Sequence, residues 1–255
     1  MVLGQDLIFH WRPGGSGYIR GMQMAQYLGA RANCSGDGIH IYVKMQPPDD
    51  YAPRAYLDII DAQERVSWLL RQPKIGVIAS SVSSADYLRR KLGRDDIYLI
   101  PQHHCNFERA MVKRSGILVA GVVGGRGAIQ CDVAEIMAVL NRFGIEFRWL
   151  RRYKSREEIA AFYLELDLQI VWRKLNRPLK NPLKIVNAMS FGIATISYSE
   201  LAYQEVTSYY WPATSMAELS ASVEQLRQGF DRQRLVERAE LYHIEHIARL
   251  YECLA

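Results

Sequence analysis

The sequence predicts an α/β protein built from two parallel-sheet domains, and three observations carry that prediction. Strand-like apolar runs alternate with helical patterns from one end of the chain to the other. A glycine cluster follows the first strand of each half, at Gly14, Gly15 and Gly17 and again at Gly124 and Gly125. The length of 255 residues, with 49% apolar and 23% charged residues, suits one large domain or two small ones with packed cores.

In the first half, Asp6–His10 reads as a strand and Tyr18–Ala32 as a helix that begins after the glycines. Strands follow at Ile39–Lys44 and Tyr56–Ile60, then a helix at Gln63–Arg71. Ile75–Ser80 is a strand, Ser84–Leu92 a helix and Ile97–Pro101 the last strand of this half. The polar stretch Gln102–Arg114 reads as a linker. The second half restarts with strand Ile117–Val122, helix Asp132–Phe143 and strand Glu146–Trp149. Helix Arg156–Leu166 and strand Leu168–Trp172 come next. A proline-bearing loop then opens a helix, Asn181–Phe191, whose residues Ile185, Ala188 and Met189 share one face. It stops at Gly192 before strand Ile193–Tyr198. Met216–Gln228 and Arg232–Cys253 read as two closing helices.

No apolar run approaches the roughly 18–20 residues of a membrane span. The opening stretch MVLGQDLIFHW has no basic region followed by an apolar core, so it reads as a first strand and not a signal peptide. Cys34, Cys105, Cys131 and Cys253 lie far apart without a C-x-x-C spacing. That excludes a standard zinc site and predicts reduced thiols and a cytoplasmic location. The net charge of +5 favours phosphate-bearing substrates, anionic membrane surfaces or nucleic acid only slightly.

The stretch Arg177 to Glu205 resembles the pattern K-x-x-E-A-M-x-x-G-x-P-V-I … E of nucleotide-sugar glycosyltransferases of the GT-B fold. The match runs through Lys184, Ala188, Met189, Gly192, Thr195, Ile196 and Glu205. It departs at Asn187, where that family usually has a ribose-binding glutamate, and at Ala194, where it usually has proline. Pro13 to Gly17 with Met24 to Leu28 resembles the P-x-x-G-G … L-A-x-x-L entry of the same enzymes. Leu57 to Asp61 is similar to their D-x-x-D strand end. Ile78 to Ser81, Leu88 and Ile97 to Pro101 resemble their exit from the N-terminal domain, with Gln102, His103 and His104 in place of Asn-Gly. Glu158, Ile159, Phe162, Tyr163, Leu166 and Asp167 are similar to their E-I-x-x-x-Y-x-x-x-D element.

The resemblance implies two Rossmann-like domains facing across a cleft. Their expected bounds are 1–104 for the acceptor side and 112–235 for the nucleotide-sugar side, with a helix at 236–255 crossing back to the first domain. It also implies a nucleotide sugar as co-substrate, with no further cofactor. No D-x-D motif follows a strand, so no metal site is expected.

Residues just past strand ends are the ones to weigh, because ligands of doubly wound sheets bind there. Gly15, flanked by Arg12 and Arg20, admits close approach of a sugar or diphosphate; the plainer reading is a packing turn. Gly124, Gly125 and Arg126 outline a phosphate loop, in which Arg126 would clamp the diphosphate bidentately. Arg173, Lys180 and Lys184 bring cations to the start of the Asn181 helix, where they oppose its dipole and suggest an anion that offsets them. A solvated basic face is the alternative. Asn187 and Glu205 are candidates for the ribose contact. Asp61, His10 and Asp58 end strands of the first half and are the candidate bases, with Asp61 ahead; helix capping or core burial is the rival reading for each.

The leading function is transfer of a sugar from a nucleoside diphosphate donor to an acceptor hydroxyl on a glycan, lipid or natural product. A non-catalytic sugar-nucleotide-binding protein of the same fold is the alternative. A transferase acting on modified DNA is a third, disfavoured because no concentrated basic run is present.

Overall fold

The computed structural model describes residues 6–175 and 177–254. The first five residues of the opening stretch, and Ala255 at the end of the closing segment, lie outside the described residues. The chain divides into two compact units. The first contains the chain up to His103, Arg177–Asn181 and the chain from Ile244 onward; the second contains His104–Asn176 and Pro182–His243.

The first unit is a six-stranded parallel sheet. Its strands are β1 (Leu7–His10), β2 (Arg31–Ala32), β3 (Ile39–Val43), β4 (Ala55–Asp58), β5 (Gly76–Ala79) and β6 (Ile97–Leu99), in the order β2-β1-β3-β4-β5-β6. Ile8, Phe9, Ile41, Leu57, Val77 and Ile78 are all fully buried. Burial of each such side chain contributes about 1.5–3 kcal/mol. Continuous apolar runs of this kind are what a sheet covered on both faces requires.

One predicted element of this unit takes a different form. The helix expected over Tyr18–Ala32 is a π-helical turn at Gly17–Gln23 followed by α1 (Met24–Leu28), and it ends on Gly29 in the left-handed region. Arg31 and Ala32 then pair with Ile8 and Phe9 as the edge strand β2. The π turn brings Gly17 and Gly21 against the chain behind them. A Cβ on Gly17 would lie 2.2 Å from the Arg12 carbonyl oxygen, and one on Gly21 would lie 2.6 Å from the Trp11 side chain. The next helices of this unit are α2 (Val66–Leu69) and α3 (Val82–Leu92). The latter is capped by Ser81, whose side chain accepts from the Ser84 N–H.

The second unit is a five-stranded parallel sheet of β7 (Val119–Val123), β8 (Glu146–Leu150), β9 (Leu168–Val171), β10 (Ala194–Ser197) and β11 (Trp211–Pro212), in the order β11-β10-β9-β7-β8. Helices α4 (Val133–Asn141), α5 (Arg156–Leu164), α6 (Leu183–Ser190), α7 (Met216–Arg227) and α8 (Arg232–Glu240) cover it. Asp132, Ser155, Ser215 and Asp231 cap α4, α5, α7 and α8.

The segment Gln102–Arg114 is not the exposed linker its polarity suggests. Gln102, His103, His104, Cys105 and Asn106 are all buried. In the second unit, Asn106 bonds to both the N–H and the C=O of Ala110 and to the Ser190 carbonyl, so the buried backbone is satisfied locally. The closing helix is also interrupted. After α8 the chain turns through Leu241–His243 before α9 (Ile244–Leu250) and a 3₁₀ turn at Tyr251–Leu254.

Candidate functional site

Both sheets share one topology. In each, the first strand is flanked on one side by the second and on the other by the third, so the connections leave in opposite directions. In doubly wound sheets, ligands bind beyond the carboxyl ends of the strands where the order reverses in this way. The reversal falls at β1/β3 in the first unit and at β7/β9 in the second.

In the second unit the chain leaves β7 through Gly124, whose φ of +119° disfavours a side chain. Lys184, on the first turn of α6, donates from Nζ to the Val123 carbonyl at 2.7 Å. A Cβ on Gly124 would lie 3.2 Å from that Nζ. The turn Arg126–Ala128 follows, and Ile129 bridges to Trp172 just beyond β9, so the loop spans the ends of both strands. Trp149 donates from its indole to the Gly124 carbonyl at 2.7 Å. Arg151 lies over the Trp149 ring at 4.1 Å. Gly124, Gly125, Arg151, Arg152, Tyr153, Lys154 and Glu158 line an open groove of ≈ 540 Å³. Three cations against one carboxylate give the groove a positive potential.

Of the predicted donor residues, the structure brings together Gly124, Gly125, Arg126 and Lys184. Arg126 is exposed on its turn. Arg173 follows β9 and sits 3.7 Å from Glu200, a residue 5% exposed. Lys180 does not start the helix, which begins at Leu183; it belongs to the first unit. Asn187 is buried, and its Oδ1 accepts the Cys105 N–H at 2.9 Å, so it anchors the backbone of the segment entering this unit. Glu205 accepts from the Tyr242 hydroxyl at 3.3 Å, and its carbonyl accepts from Arg238. Both ribose candidates are thus engaged in bonds within the second unit. The sequence reading missed Arg151, Arg152 and Lys154, although their signal was present in a basic run placed directly after a strand.

In the first unit, Gly15 lies past β1 with open space around it. His10 ends β1, half-buried, with Nε2 3.0 Å from His40 Nδ1 and its ring stacked on Tyr42 at 4.4 Å. Burial, and then His40, lower its pKa to about 4. Asp58 does not offer a free carboxylate. It is fully buried, with Oδ2 2.5 Å from Arg20 Nε and Oδ1 accepting the Ile60 N–H. Burial pushes its carboxyl up and Arg20 opposes that; Asp61 is the smallest contributor.

Asp61 sits in the left-handed region at φ +57°, which aspartate tolerates. Its carboxylate lies 2.7 Å from Lys180 Nζ and 3.5 Å from Ser16 Oγ. It caps no helix: Ala62 is the N-cap of the following turn, and no side chain bonds there. The segment carrying Lys180 is held by Leu179, buried in this unit's core, and by bonds from Ser81 and Ser84 to the Lys180 carbonyl.

No family model and no curated protein matches the chain. Solved structures do match. TarM superposes with a TM-score of 0.59 at 12% identity over 97% of this chain and 54% of that one. The GtfA/B complex gives 0.57 at 10% identity over 85% and 52%. Anabaena Alr3699/HepE in complex with UDP-glucose gives 0.52 at 15% identity over 98% and 78%. The chain has the GT-B glycosyltransferase fold. It spans about half the length of the TarM and GtfA/B chains. In the second unit the groove lies between the carboxyl ends of β7 and β8, whereas His10 ends the first strand of the other sheet on the side of β3. Among the described residues, no helix is long and apolar enough to cross a membrane.

Proposed function

We propose that the chain is a glycosyltransferase that moves a sugar from a nucleoside diphosphate donor to an acceptor hydroxyl. The observation that carries this reading is the cationic groove of Gly124, Gly125, Arg151, Arg152 and Lys154 at the first strand end of a GT-B sheet. The donor diphosphate would rest on the Gly124–Gly125 backbone, with Arg126, Arg151 and Arg152 neutralising its charge. In the reaction the acceptor oxygen bonds to the anomeric carbon as the bond from that carbon to the phosphate oxygen breaks. The electron pair departs on the diphosphate, where fixed cations stabilise it. We assign that stabilisation to the arginines and lysine, without a divalent ion.

On the acceptor side, His10 moves ahead of Asp61. The Asp61 carboxylate is neutralised by Lys180, whereas His10, with its pKa lowered to about 4, keeps a lone pair at neutral pH. So weak a base accepts the hydroxyl's hydrogen bond first and takes the proton only as the glycosidic bond forms. The test is a thermal-shift and transfer panel with UDP-, GDP-, dTDP- and CMP-linked sugars, run with and without EDTA. Stabilisation and transfer by one donor class, insensitive to EDTA, is the expected result. A non-catalytic sugar-nucleotide-binding protein is the second reading, favoured by the commitment of Asn187 to Cys105. It is the answer if a donor binds and is neither transferred nor hydrolysed.

A further inference from the structure

Three rings lie together at the carboxyl end of the first unit's sheet. His10 on β1 pairs in register with Tyr42 on β3, and His40 stands two residues earlier on the same face of β3. The His10 ring is within 11° of the His40 plane and 9° of the Tyr42 plane. His40 Nε2 is 2.9 Å from the Gly36 carbonyl oxygen. A carbonyl only accepts, so this nitrogen carries a proton. With the proton of the imidazole on Nε2, His40 Nδ1 offers its lone pair on the side that faces His10. His10 Nε2 therefore donates to that nitrogen across 3.0 Å. One imidazole nitrogen is left, His10 Nδ1, and it has no hydrogen-bond partner among the described residues.

The far end of this chain of bonds is also fixed. Gly36 and Gly38 have φ values of +136° and +146°, conformations that suit glycine. Arg31 donates to the Asp37 carbonyl between them. Asn33 accepts the Trp11 N–H at 3.0 Å and donates its own N–H to Phe9 at 2.9 Å, tying the loop to the backbone on either side of His10. The polarity of the relay is thus set by a backbone carbonyl held in a braced loop.

We propose that His40 is a positioning residue: with the Gly36 carbonyl it locks His10 as the Nε2–H tautomer and presents Nδ1 as the proton acceptor for the incoming hydroxyl. The tautomer lock follows from the bonds alone; its use in transfer rests on the function proposed above.

The test reads the tautomer directly. In the full chain labelled with ¹⁵N-histidine at pH 7, two-bond ¹H–¹⁵N spectra should show His10 with a proton on Nε2 and a bare Nδ1. His40→Gln, whose amide both accepts and donates, should keep that pattern. His40→Phe should release His10 into a mixture of tautomers and lower kcat by about tenfold or more, within the range of lost proton-transfer catalysis, with donor affinity unchanged. A proton on His10 Nδ1 in the unaltered protein overturns the proposal, whether or not the variants fold. An unchanged tautomer in folded His40→Phe does the same. Because the spectrum needs no turnover, failure to transfer from any donor would overturn the transferase reading alone.

Discussion

Arg20 and Asp58 meet at 2.5 Å with side chains 1% and 0% exposed, joining the π-helical turn Gly17–Gln23 to the end of β4. Removing one partner leaves a buried charge without its counterion. Arg20→Ala or Asp58→Asn should therefore cost about 3–5 kcal/mol in urea unfolding, while a matched replacement such as Arg20→Met with Asp58→Leu should recover much of it. Single variants as stable as the parent protein would show that the pair is not a strut.

This pair also marks where the sequence stops being legible. The alternation of apolar strands and helices was readable because each buried strand is a continuous apolar run, such as Leu7–Phe9 or Ile39–Val43. A buried arginine has no such signature: Arg20 sits in a helical pattern like any solvated residue, and its partner is 38 residues away. For the same reason Arg177–Asn181 could not be assigned to the first unit, because Leu179 reaches that core only through tertiary packing. The break at Leu241–His243 falls in a sequence without glycine or proline and was equally hidden. In the candidate site, Gly124, Gly125 and Lys184 were legible from position. Asn187 and Glu205 were assigned by pattern, and their bonds to Cys105 and Tyr242 are not encoded in spacing.

Acid should unfold this protein early. Burial, and then His243, lower the His104 pKa to about 3. Its Nδ1 accepts the Asn106 N–H at 3.2 Å, a bond that needs the neutral ring. The unfolded chain binds this proton near the ordinary histidine value of about 6.5, so it holds more protons than the folded chain between about 6.5 and 3. Stability is complete above that window and falls as the pH drops through it, by up to about 1.4 kcal/mol per pH unit for each such group. His10 acts in the same direction. Urea midpoints from pH 8 to 4 should decline below 6.5, and a folded His104→Gln should flatten the slope; a flat profile in the parent protein would refute the assignment.

The loop after β7 offers a test that separates binding from folding. Gly125 has φ −64° and open space where a Cβ would stand, so alanine is tolerated there. If a diphosphate rests on this backbone, Gly125→Ala should weaken donor binding about tenfold or more, roughly 1.4 kcal/mol, without lowering the unfolding midpoint. Gly124→Ala should lose both, because its φ of +119° costs about 1–3 kcal/mol in any residue with a side chain. Calorimetry with the donor identified by thermal shift decides it. Unchanged affinity in Gly125→Ala moves the diphosphate away from this loop.

Arg151 and Arg152 should matter to the donor together and to the fold hardly at all. Both are exposed, and Arg151 is oriented by its stacking on Trp149, so alanine at either leaves the core untouched. Each charge-assisted bond to a phosphate is worth about 1.5–3 kcal/mol, so the double variant should lose well over tenfold in donor affinity and show a weaker dependence on salt. Arg126→Ala should cost a similar single increment. Equal affinity in the double variant at 50 mM salt would leave the groove without its proposed ligand.

Asp61→Asn distinguishes a reacting group from a tether. The carboxylate lies 2.7 Å from Lys180 Nζ, with both side chains about one-fifth exposed, so the ion pair contributes at most about 1 kcal/mol to stability. The Asp61 N–H to Leu179 bond, 3.0 Å long, is made by the backbone and survives the substitution. The variant should therefore fold with a nearly unchanged midpoint. With His10 as the proton acceptor, turnover should fall less than about tenfold in Asp61→Asn and by roughly 10²–10⁴-fold in His10→Phe. The reverse ranking, measured on folded variants at saturating donor, would return the base to Asp61 and recast Lys180 as the group that holds its carboxylate in place.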